Sequence, residues 1–172
     1  PGGQNGGPIS DSDGTARLWL EEENKALTIQ IWSEIADYYS EDTLIGGYDL
    51  INEPVLPSGV SLEEFKQLYI DITDAIREVD NNHIVYIEGN WYGTDFSGLT
   101  PPWDDNMSYS FHKYWGETSL GTIQSYISMS NQYDIPLWMG ESGENSNHWY
   151  YEVFTLLEDN NIGWNFWTHK KV

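Results

Sequence analysis

The sequence predicts an α/β protein built as a partial (β/α)8 TIM barrel of about five βα units, and three observations carry that expectation. Apolar strand-like runs alternate with amphipathic helical segments, the pattern of parallel strands joined by crossover helices. The polar and acidic residues gather at the C-terminal end of each apolar run, and in a barrel those ends ring one mouth. No glycine-rich phosphate loop follows a strand, as a nucleotide-binding open sheet would require.

Each element follows from its own residues. Pro1 to Gly14 is dense in Gly, Ser, Asp and Pro and reads as a loop. From Leu18 to Tyr39, the apolar residues Leu20, Leu27, Ile31, Ile35 and Tyr38 recur at helical spacing and predict an amphipathic helix. Leu44 to Ile51 is a short apolar run halted by Asn52-Glu53-Pro54, hence a strand. Ser61 followed by Glu64 is a capping box that opens a helix running through Val79. Strands are expected at His83 to Glu88, Met107 to Phe111, Pro136 to Met139 and Ile162 to Trp167, with helices at Leu120 to Tyr133 and Trp149 to Asp159.

A closed barrel has eight strands, so five make a single partial barrel domain over residues 1–172, with the N-terminal units absent. Such a segment exposes sheet edges, and the expectation is a companion N-terminal segment, self-association that completes the barrel, or a truncation.

Composition narrows the ligand. With 7 Lys and Arg against 28 Asp and Glu, the net charge of -21 opposes nucleic acid and anionic membranes as partners. The 9 Trp and 12 Tyr instead suit a neutral, hydroxylated ligand whose C–H faces stack on rings. There is no Cys for a disulfide or a thiolate metal site, and no apolar run reaches the roughly 20 residues of a membrane span. His83, His112, His148 and His169 show no ligand-like spacing, so no metal or cofactor is expected, and Asp104-Asp105 reads as a solvated loop rather than a calcium site.

Glu53 and Glu141 are the candidate catalytic pair. Each closes an apolar run on a Pro- or Gly-flanked turn, so both can project above the same barrel mouth. Hydrolysis of a glycoside with retention needs two carboxyl groups about 5 to 5.5 Å apart, one ionised and one protonated.

Four segments, Tyr48 to Pro54 (YDLINEP), Phe111 to Trp115 (FHKYW), Leu137 to Gly143 (LWMGESG) and Gly163 to Lys171 (GWNFWTHKK), together resemble glycoside hydrolase family 5, the cellulase family of clan A. The resemblance covers nearly the whole chain and implies that its strands are the fourth to eighth of the barrel. It implies that Glu53 is the acid/base, carrying the proton, and that Glu141 is the nucleophile, kept ionised by a hydrogen bond from Tyr114. It gives Asn52 the sugar 2-hydroxyl, His112 the subsite beside the cleaved bond, and Trp167 the aromatic platform under the distorted sugar. Trp91 and Trp115, with Tyr92, Trp103 and Trp149, are candidates for further subsites, the loop Gly2 to Asn5 borders the cleft, and Trp164 packs inside.

The implied activity is a retaining β-glucan hydrolase, first of all an endo-β-1,4-glucanase, secreted or periplasmic, acting on a β-glucan oligo- or polysaccharide. Exo-β-1,3-glucanase and β-mannanase activities remain open, as does a catalytically impaired carbohydrate-binding half-barrel. The last has a concrete basis, because the family's arginine and histidine from the early strands have no positions here, and Arg17 and Arg77 fall on helices.

Overall fold

The computed structural model describes residues 3–7 and 12–167 and divides into two compact units, Pro1–Met107 and Ser108–Val172. No helix among the described residues is long and apolar enough to cross a membrane.

In the first unit, β1 (Gly47–Asp49) runs parallel to β2 (Ile84–Glu88) with Tyr48 opposite Val85. The expected Leu44 to Ile51 strand is shorter at its start because Asp42 captures the chain in a turn. Its carboxylate accepts the Leu44 N–H and its carbonyl that of Ile45, leaving Leu44 exposed. Helix α3 (Leu62–Arg77) crosses between the strands. The Ser61 hydroxyl accepts the Glu64 N–H while the Glu64 carboxylate accepts that of Ser61, as the capping box required. The face beyond it buries Phe65, Leu68, Tyr69, Ile72 and Ile76.

The helix expected over Leu18 to Tyr39 is two, α1 (Arg17–Leu20) and α2 (Glu22–Tyr39), separated by extended Glu21. Of the apolar residues whose spacing predicted an amphipathic helix, Leu20, Leu27, Ile31 and Tyr38 are exposed and Ile35 is half-buried. The opposite side of α2 faces inward through Trp32 and Ala36. The Trp32 indole donates to the Leu50 carbonyl at 2.9 Å, and the small Ala36 admits close approach. Both faces of this helix carry apolar residues, so spacing alone could not choose between them.

One polar node ties the far end of α3 to β1. Asp80 accepts the Tyr48 hydroxyl at 2.6 Å, the backbone N–H groups of Asn82 and His83, and the His83 ring at 2.5 Å. Nε2 of His83 faces the Asp42 carbonyl at 3.1 Å. The Asp80 carboxylate and the Asp42 carbonyl can only accept, an arrangement that favours the protonated ring. Burial opposes the Asp80 charge, but the bonds from Tyr48, Asn82 and His83 outweigh it and hold the carboxyl at about 2. Burial likewise opposes the His83 charge, and the bonds to Asp42 and Asp80 reverse that and raise it.

In the second unit, β3 (Met107–His112), β4 (Leu137–Glu141) and β5 (Gly163–Trp164) lie side by side and parallel. Every residue of β3 is buried, as in a strand covered on both faces. Helices α4 (Gln124–Tyr133) and α5 (Asn147–Asp159) follow β3 and β4. Tyr126 of α4 stacks on Phe111 at 4.5 Å, and Phe154 of α5 on Trp164 at 4.0 Å, so Trp164, expected to pack inside, lies half-buried against that helix.

Two stability predictions follow from these contacts. Phe65 is fully buried, so Phe65→Ala should cost about 3–5 kcal/mol in urea unfolding. Asp80, depressed in the folded state, contributes stability above the ordinary aspartate value near 3.9, and loses it as pH falls from about 4 to about 2. Between pH 5 and pH 2.5 the wild type should therefore lose on the order of 2 kcal/mol more than Asp80→Asn. His83 has the opposite sign, its contribution being full below about 6.5 and lost as pH rises through its raised value.

Candidate active site

In the first unit, Asn52 and Glu53 follow β1, with Asn52 exposed and Glu53 half-buried. Glu53 has a φ of 46°, in the left-handed region that costs a side-chain-bearing residue on the order of 1–2 kcal/mol. It also precedes Pro54, which disfavours helical-type backbone. Neighbours hold it there from both sides. Its N–H donates to Oε2 of Glu88 at 2.7 Å, and its carbonyl accepts the side-chain amide of Asn5 at 2.7 Å. Gln4 donates in the same way to the Asn52 carbonyl at 2.7 Å, while the Val55 N–H donates to the Gln4 carbonyl and the Val55 carbonyl accepts the Gly6 N–H.

Glu88 and Asn5 are both buried. Of the loop Gly2 to Asn5, expected to border the cleft, Gly2 lies outside the described residues. Asn5 instead pairs beside Val55 like a short parallel strand. Composition marked this Gly-rich segment as a loop, and nothing in it signalled a structural asparagine. Glu88 did carry a signal, as an acid ending an apolar strand.

Trp91 follows β2 in the turn Asn90–Gly93, where both Trp91 and Tyr92 are left-handed and the Trp91 ring is exposed. Its neighbour Tyr92 fixes the loop by donating its N–H to the Pro54 carbonyl at 3.3 Å. Trp103, another subsite candidate, is half-buried, its indole donating to Thr73 at 3.1 Å and its ring lying under Lys66. Asp104 forms a two-pronged pair with Arg77 at 2.8 Å on each prong, and the Arg77 guanidinium holds its carboxyl below the usual range.

In the second unit, Glu141 ends β4 and His112 ends β3. A bulge between Phe111 and His112 shifts the register so that buried His112 stands opposite Glu141. The Tyr114 hydroxyl donates to Oε1 of Glu141. The Glu141 carbonyl accepts the Lys113 N–H at 3.1 Å, and Asn145 fixes the Tyr114 carbonyl at 2.8 Å. Trp167 is exposed, and its N–H donates to the Ser142 carbonyl at 2.7 Å, which anchors it one residue from Glu141.

Trp115 is also exposed and lies 5.7 Å from the Tyr114 ring. Trp149, another subsite candidate, is buried and donates to the Gly116 carbonyl at 2.9 Å, so it supports the loop rather than presenting a face. His169 and the end of the motif through Lys171 lie outside the described residues.

The strand-end residues therefore form two polar sets. One is Asn52, Glu53 and Trp91 with Glu88 and Asn5. The other is His112, Tyr114, Glu141, Trp115 and Trp167. Within the second set, the Tyr114 hydroxyl supplies a donor to one oxygen of the Glu141 carboxyl group.

The sequence model of the cellulase family, glycosyl hydrolase family 5, matches residues 5–171. The chain belongs to that family. A β-xylosidase of Phanerodontia chrysosporium is 35% identical over 77% of this chain, and 28% of that protein is covered. Endoglucanase C of Acetivibrio thermocellus is 21% identical over 92% of this chain and 63% of its own length.

Among solved structures, the cellulose synthase subunit Z of Clostridioides difficile matches with a TM-score of 0.76 at 16% identity, covering 91% of this chain and 64% of that one. Thermotoga maritima Cel5A, crystallised with mannotriose, matches at 0.73 and 19% identity, covering 91% and 63%. The fold is thus the partial (β/α)8 barrel of five parallel strands expected from the sequence. This cellulase-family chain spans less than two thirds of each of these four proteins.

One glycine tests the anchoring of Trp167. A Cβ on Gly143 would collide with the Trp167 carbonyl oxygen and approach the Tyr114 ring at 3.3 Å. Gly143→Ala should therefore alter the near-UV circular dichroism and tryptophan emission while leaving the far-UV spectrum unchanged.

Proposed function

We propose that this cellulase-family chain is the catalytic part of a retaining glycoside hydrolase that cleaves β-1,4-glucan internally, with Glu141 as nucleophile and Glu53 as acid/base. The observation that carries the reading is the Tyr114 hydroxyl donating to Glu141 at the end of β4, in a chain whose family is established.

The Glu141 carboxylate attacks the anomeric carbon as the Glu53 carboxylic acid gives its proton to the departing glycosidic oxygen, so that a glycosyl ester forms and the C–O bond breaks. Glu53, now a carboxylate, then takes a proton from water. The hydroxide so generated displaces Glu141 and releases the sugar with its original configuration. Asn52 is exposed beside Glu53 and suits a sugar hydroxyl, while the exposed Trp91, Trp115 and Trp167 rings suit sugar C–H faces. His112, opposite Glu141, suits the subsite next to the broken bond.

The alignment with Endoglucanase C spans 92% of this chain and 63% of that protein, and its name supports internal cleavage of a glucan. A polymer of that kind cannot enter a cell, so the activity goes with a secreted or periplasmic location.

A second reading, a carbohydrate-binding partial barrel without turnover, has its own support. Both arginines are engaged with carboxylates, Arg17 with Asp13 and Arg77 with Asp104. Companion segments or self-association that supply further barrel units belong to this reading.

Release of reducing ends from carboxymethyl-cellulose, with laminarin and mannan as parallel substrates, decides between the two. Glu53→Gln should lower kcat by about 10²–10⁴-fold, and Glu141→Gln should abolish turnover. Tyr114→Phe, which removes one bond to a charged group, should lower kcat by roughly 10–100-fold. Equal and negligible rates for wild type and Glu141→Gln would favour the binding reading, and preferential cleavage of laminarin or mannan would overturn the β-1,4 assignment.

A further inference from the structure

Glu53 is the residue of its turn whose geometry costs most, and what holds it is not the β-sheet. Its left-handed φ of 46° before a proline persists only if the surroundings over-determine it. The strand ladder stops before it, since the last partners of β1 and β2 are Asp49 and Tyr86. Its N–H instead reaches the carboxylate of Glu88, 35 residues away at the end of β2, at 2.7 Å.

A buried carboxylate is expensive to place and is kept where its hydrogen bonds matter. Glu88 is 1% exposed, and its own backbone is fixed by the Tyr69 hydroxyl, which donates to the Glu88 carbonyl at 2.9 Å from within α3. Across the turn, Asn5 is fully buried and holds the Glu53 carbonyl. The peptide units on both sides of Glu53 are thereby fixed, and so is the direction of the Cα–Cβ bond from which its carboxyl hangs.

We propose that Glu88 is a positioning residue for Glu53: its buried carboxylate clamps the Glu53 N–H and so aims the Glu53 side chain. This rests on the acid/base role proposed for Glu53, but the clamp itself can be read without any turnover. A general acid must sit within hydrogen-bond reach of the oxygen it protonates, so a rotated Glu53 backbone lowers kcat while the rings and hydroxyl contacts that bind sugar remain.

The test measures amide hydrogen exchange of Glu53 by NMR together with kcat and KM on carboxymethyl-cellulose, for wild type, Glu88→Gln and Glu88→Ala. Glu88→Gln keeps an acceptor at the same place, and it should retain most of the Glu53 protection and at least a tenth of kcat. Glu88→Ala should lose roughly tenfold or more of the Glu53 protection, with the amides of Val85 and Ile87 unchanged, and kcat should fall at least as far with KM within about twofold.

Glu53 exchange that is unchanged in Glu88→Ala overturns the proposal. So does an equal loss of protection at Val85 and Ile87, which marks a merely structural role, and so does a lost clamp with kcat intact. If the wild type shows no hydrolysis, the acid/base reading fails alone, and the exchange data still decide whether Glu88 holds Glu53.

Discussion

A parallel strand that ends inside a protein leaves backbone groups without ladder partners, and each buried one must find another. That constraint shapes the ends of β1 and β4. After β1 the missing partners are side chains: Glu88 for the Glu53 N–H, Asn5 for its carbonyl and Gln4 for the carbonyl of Asn52. After β4 they are backbone groups of neighbouring strands, the Lys113 N–H on Glu141 and the Trp167 N–H on Ser142. The two candidate glutamates are therefore mounted differently, one by long-range polar side chains and the other by continuation of the sheet.

This difference explains what could be read from sequence. The βα alternation, the capping box and the strand-end positions of Glu53, His112, Tyr114 and Glu141 follow from local periodicity and spacing, and these residues close or follow the strands they were assigned to. The Tyr114 bond to Glu141 was implied by the family resemblance and is present. The clamp of Asn5 and Glu88 on Glu53 links residues 48 and 35 positions apart, and no local pattern encodes such a pairing.

The corrections share a cause. Leu27 and Ile31 mark an apolar face of α2, but so do Trp32 and Ala36, and the indole that could reach the Leu50 carbonyl turned inward. Trp103 in its loop and Trp149 at a helix start both read as candidate subsites, yet their indole N–H groups donate to Thr73 and to the Gly116 carbonyl. For tryptophan, the partner of the indole N–H decides between packing and presentation, and that partner is remote in sequence.

Arg77 shows how tightly a chain with so few cations can use one of them. Its five N–H groups make five hydrogen bonds, two to Asp104 and one each to the carbonyls of Asp80, His83 and Asn106. A lysine could not reproduce that fork. Across relatives that keep this loop, positions 77 and 104 should therefore vary together or not at all, so that the pair serves as a covariation marker for the floor of the first unit while the strand ends diverge toward new substrates.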